Sequence, residues 1–139
     1  MTAPPNTLLT LEQKRRIRNF TDFCLEIRDA FYHRYRNINP PNNQLGPDQL
    51  LNTLANIRIL STIGMDFDVE QARTMINGQN MMYHQEKRDV TFMLQQQYND
   101  RIPQEPYVET DRRPVDWLQQ KLTMAEEKLM ELNKFLESD

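Results

Sequence analysis

The chain has 139 residues, a formal net charge of −3 and an apolar share of 38%: enough for one buried core, but below the roughly 45–50% usual for globular domains. Three glycines and a single cysteine exclude a glycine-rich phosphate cradle, an internal disulfide and a zinc site of paired cysteines. The net charge makes no case for nucleic acid or membrane, yet its distribution is uneven. Residues 11 to 38 carry seven Lys or Arg against four acids, and residues 114 to 139 carry three against six, so the chain opens basic and ends acidic.

Residues 1–9, interrupted by Pro4 and Pro5, read as a loose end. Thr10 with Gln13 forms a capping box, so the first helix is expected to start at Leu11. Its apolar line runs Ile17, Phe20, Cys24, Ile27, Phe31, Tyr35 and Ile38, a globular stripe suited to a core. Pro40 and Pro41 stop it. Gly46-Pro47-Asp48 starts a second helix, with proline at the first helical position and an acid on the positive end of the dipole. Its stripe is Leu50, Leu51, Leu54, Ile57, Leu60 and Ile63, with Gly64 as the expected C-terminal cap.

Asp68 with Gln71 repeats the capping pattern, which starts a third helix at Val69. Its line, from Val69 and Ala72 through Ile76 to Tyr83, Val90 and Met93, is interrupted by Gln79, Glu86 and Gln97. Asn77-Gly78 is a turn signal in its own right, and the reading favours a break there over a kink. Residues 100–114 carry Pro103, Pro106 and Pro114 among charges and read as an extended linker, with a reach on the order of 40 Å in a polyproline-like state.

The last stretch, 115–137, is the sharpest pattern. Val115, Leu118, Leu122, Ala125, Leu129, Leu132 and Leu136 fill every a and d position of three heptads, the signature of a helix that supercoils with another. Trp117, Met124, Met130 and Phe135 lie off this seam and would make a second sticky face if exposed. The same seam also fits packing on the chain's own helices.

Site chemistry is sparse. His33 and His84 lie on different helices, and Asp29 beside His33 fits a surface hydrogen bond better than a metal site. Cys24 falls on an apolar line, where a thiol behaves as a small hydrophobe. Lys14, Arg15, Arg16 and Arg18 form the one concentrated basic cluster, set against the helix dipole, and are a candidate nucleic-acid or acidic-partner patch. No leader and no apolar run long enough to span a bilayer is seen, so an intracellular protein, of nucleus or cytoplasm, is expected.

The sequence therefore predicts an all-α protein, a bundle of three to five helices. A helical domain over 10–99 is followed by the linker and by a coiled-coil-like helix over 115–137. The expected function is a non-enzymatic adaptor or scaffold subunit of a multiprotein complex. Homo- or hetero-association is expected through Val115, Leu118, Leu122, Ala125, Leu129, Leu132 and Leu136, with no catalytic residue, metal, cofactor, membrane or small-molecule substrate. The alternative is a nucleic-acid-binding module using the basic first helix.

Overall fold

A computed structural model describes residues 7–35, 46–96 and 114–137. They form four α-helices: α1 (Leu11–Arg34), α2 (Pro47–Ala55), α3 (Val69–Leu94) and α4 (Pro114–Glu137), with a 3₁₀ segment, Asn56–Ser61, continuing α2. No strand occurs among the described residues beyond an isolated bridge between Leu8 and Asp68. The all-α bundle expected from the sequence is the observed fold.

Both capping boxes form. The Thr10 hydroxyl accepts from the Gln13 N–H at 3.1 Å, while the Gln13 side-chain oxygen accepts from the Thr10 N–H at 2.8 Å. Asp68 and Gln71 do the same at the start of α3. Each box satisfies donors that a helix start leaves open.

Three expectations need correction. Residues 7–9 are not a loose end: Leu9 is buried, its N–H donates to the Phe67 carbonyl and the Thr7 carbonyl accepts from the Val69 N–H, both at 2.8 Å. The second helix does not run as α-helix to Ile63: after Ala55 it tightens to 3₁₀ geometry, where Leu54, Ile57 and Leu60, three residues apart, line up on one buried face. The line leaves the helix there. Ile63 is 81% exposed, and Gly64, at φ +91°, makes the turn beyond the segment, a conformation that L side chains rarely adopt. Nor does the third helix break at Asn77-Gly78. It runs unbroken for 26 residues, because Gly78 faces solvent, where a missing side chain forfeits no packing, and because two polar residues on its inner side find partners. Tyr83 donates to Glu126 Oε1 at 3.1 Å, and Glu86 accepts from the Thr53 hydroxyl at 2.6 Å.

Cross-links between helices give the topology. Along α1 and the α2–3₁₀ unit, Tyr32 meets Asp48, Arg28 meets Asn52, Arg58 meets Asp22, and Lys14 meets the carbonyls of Thr62 and Met65. One number rises as the other falls, so the two run antiparallel. By the same logic Phe31 beside Trp117, Lys128 over Phe23 and Arg16 over Phe135 set α4 antiparallel to α1. Arg73 with Glu137, and Lys87 with Glu126, set α3 antiparallel to α4. The result is an up-down-up-down bundle in which α1 packs on α2 and α4, α3 packs on the same two, and α1 and α3 occupy diagonal corners.

Between them lies one core, with Ile17, Phe31, Leu50, Leu54, Ile76, Tyr83, Leu118 and Leu122 fully buried. Each large aliphatic side chain removed from water in this way contributes about 1.5–3 kcal/mol. The expected linker 100–114 and the end of the first apolar line, Ile38, lie outside the described residues, except that Pro114 opens α4 at the position where proline needs no donor.

Candidate functional site

The heptad seam points inward. Val115, Leu118, Leu122, Ala125, Leu129, Leu132 and Leu136 are all buried within the chain's own core, packed against α1 and α3. The partner-binding surface expected at these seven residues is therefore not a surface in this fold. Two helices of the same chain already supply the holes that a partner would have offered. Off the seam, Trp117 is buried against Phe31 and Tyr35, with ring centroids 6.0 and 6.1 Å away. Phe135 is half-buried under the Arg16 guanidinium, 3.8 Å from the ring centre. Met124 and Met130 alone of the four remain exposed.

The basic cluster is also divided by the fold, and four cations do not make one patch. Lys14 is buried at 7% exposure, its ammonium donating to the carbonyl oxygens of Met65 at 2.6 Å and Thr62 at 3.1 Å. Arg16 caps Phe135 and pairs with Glu12 at 3.4 Å. Arg15 pairs with Glu12 at 3.5 Å with both side chains well exposed, an arrangement worth little in water. Arg18 faces solvent with no ion pair among the described residues. Of these four, Arg15 and Arg18 alone are left in position to meet a polyanion.

Among the described residues no arrangement of reacting groups appears. Among the described residues no three of His, Cys, Asp and Glu gather as metal ligands. His33 and His84 are both exposed, and Asp29 pairs with Arg28. Burial pushes the Cys24 thiol up to about 12, which removes the thiolate that a nucleophile needs. Burial first, then the Glu126 carboxylate, pushes the Tyr83 hydroxyl up as well.

An open groove of about 600 Å³ lies between α1 and α4, lined by Phe20, Phe23 and Leu132 with Glu12, Arg16, Glu26, Lys128 and Glu131. Both of its cations are held over aromatic rings, Arg16 on Phe135 and Lys128 on Phe23. It presents alternating charge and no nucleophile.

What the bundle does offer is exposed apolar side chains, gathered mainly in two places. At one end, Leu8, Leu11, Ile59, Ile63 and Met65 are 41%, 69%, 46%, 81% and 42% exposed. Lys14 brings them together: Leu11 lies one turn before it on α1, and its ammonium grips the loop that carries Ile63 and Met65. On the α3–α4 face, Met81 and Phe92 project from the outer side of α3, and Met130 projects from α4. The pairing of residue 73 with 137 and 87 with 126 puts Met81 and Met130 at the same level of the bundle.

Met130, off the seam of α4, was the signal for the second surface. The first had none, because Ile63 extends a stripe whose helical segment ends two residues earlier, at Ser61, and the acceptors of Lys14 lie 48 and 51 residues away. No helix of the described residues is long and apolar enough to cross a membrane. Comparison of the chain with protein-family models, with curated proteins and with solved structures yields no match.

Proposed function

We propose that this protein is a non-enzymatic adaptor or scaffold subunit of an intracellular multiprotein assembly, nuclear or cytoplasmic, working through helix-to-helix contact. The observation that carries this reading is the pair of exposed apolar surfaces on a bundle whose core is already filled by its own side chains. A chain that needs no partner to bury its seam, yet leaves Ile63, Met81 and Phe92 in water, keeps surfaces that solubility alone would remove. The α3–α4 face suits an amphipathic helix of a protein partner. Methionine side chains adapt to a partner's shape, and exposed His84 and Arg88 beside Phe92 favour acids on that helix.

Site-specific photocrosslinking tests it in cells that express the full chain. A crosslinker placed at Phe92 is expected to join one defined protein, and Met81→Asp with Met130→Asp to abolish the product without lowering the melting temperature. Products no more abundant than those from an exposed polar position such as Thr123 would refute the reading.

A further inference from the structure

We propose that the Lys14 end of the bundle is a self-complementary surface that takes a second copy of this chain. The inference builds on the adaptor reading by assigning one of its two surfaces to self-association.

The apolar centre is held, not loose. Lys14 spends a buried ammonium on two loop carbonyls, a placement that costs desolvation. The turn at Gly64, the Leu9 N–H to Phe67 carbonyl bond and the Val69 N–H to Thr7 carbonyl bond, both 2.8 Å, brace the same end. All this order fixes Ile63 and Met65 facing water. A loop already in place loses little entropy when something docks on it.

Charge then selects the occupant. On the α1 side the centre is flanked by Arg15 and Arg18 with Glu12, which pairs with Arg15 at 3.5 Å. On the side leading into α3 it is flanked by exposed Asp66 and Glu70 with Arg73, which pairs with Glu70 at 3.3 Å. The first flank is thus net positive and the second net negative. Because α1 and α3 stand at diagonal corners, the two signs lie on opposite sides of the apolar centre. A partner of uniform charge, whether polyanion or basic peptide, meets repulsion on one flank. A second copy related by a two-fold axis meets none, since each basic flank faces the other's acidic one, the self-matching that an isologous interface requires. The surface is smaller than the 20–30 residues per side of a standard interface, so the dimer is expected to be concentration-dependent.

The test is the mass of the full chain by sedimentation equilibrium over a range of concentrations. Reversible dimerisation is expected, with Ile63→Asp shifting the chain to monomer while its melting temperature is unchanged, the site being exposed. Arg15→Glu with Arg18→Glu is expected to weaken self-association about tenfold or more, and so is Asp66→Lys with Glu70→Lys.

An equimolar mixture of these two charge variants restores the dimer, because every flank again meets its opposite. Failure of the mixture to recover, or a dimer untouched by Ile63→Asp, overturns the proposal. So does a chain that stays monomeric, including one that instead sediments with phosphatidylserine vesicles. Met81→Asp with Met130→Asp leaves dimerisation intact while removing the Phe92 crosslink, so the two proposals fail separately.

Discussion

Leu122→Ala separates a core seam from a docking seam. Leu122 is fully buried in the middle of α4, with fully buried Leu118 one turn before it. Truncation there removes three carbons from water-free surroundings that close up only in part. Leu→Ala changes at such sites cost 2.7–5.0 kcal/mol, increasing with the volume left empty. The inward faces of α1, α3 and α4 are braced by cross-links on several sides, so little collapse is expected and the loss should be about 3–4 kcal/mol. Against a total stability of roughly 5–15 kcal/mol, that is a large fraction.

Urea unfolding followed by circular dichroism reads the loss as a lower midpoint at unchanged slope. The difference between variant and wild type should not depend on protein concentration. A loss below about 1 kcal/mol, or one that shrinks as the protein is diluted, would show that Leu122 packs against a partner and would refute the intramolecular seam.

Gly78→Ala should stabilise by up to about 1 kcal/mol. A Cβ there meets nothing within 4 Å and the position is exposed, so a thermal melt that falls would mean that α3 is not continuous. Stability should also fall in alkali. Cys24 is raised from an ordinary value of 9.0 to about 12 and Tyr83 is raised from 10.0, so the unfolded chain releases these protons first.

Their stabilising effect is whole below pH 9 and is lost above it, at a slope approaching 1.4 kcal/mol per pH unit for each group. Urea midpoints measured against pH should show the decline starting later in Cys24→Ala, and an identical profile would rule the thiol out. Lys14→Met should change global stability by less than about 1 kcal/mol, since a buried charge gives way to an apolar stem. Amide exchange at Met65, whose N–H bonds the Thr62 carbonyl at 3.4 Å, should nonetheless quicken, and unchanged exchange would show that the ammonium does not hold the loop.

What could be read from residues alone tracks the range of the interaction. The caps at Thr10 and Asp68 were legible to the residue because donor and acceptor lie three positions apart. The seam of α4 was legible as an apolar stripe, but the same pattern serves a partner helix and a neighbouring one, so its burial against α1 was not. Lys14 looked like its basic neighbours, and only the fold brings Thr62 and Met65 to it. Of the polar residues read as a fault in α3, Glu86 is satisfied by the Thr53 hydroxyl on α2.

At the candidate surfaces, Met130 on α4 and the cations Arg15 and Arg18 were visible as features. Ile63 was misplaced inward, because a stripe spaced by three continues equally well into a helix of 3.6 residues per turn until the chain tightens to 3.0.

The bundle closes through α4, which is 24 residues long, and this has a consequence for synthesis. While the ribosome makes α4, at about 5–20 residues per second, α1 and α3 can already be packed on α2 with their α4-facing sides open. For roughly one to five seconds Ile17, Phe20 and Phe31 on one wall and Tyr83 on the other await the helix that covers them. A chaperone has that interval in which to find this chain, and a stop codon before Trp117 would leave the interval without an end.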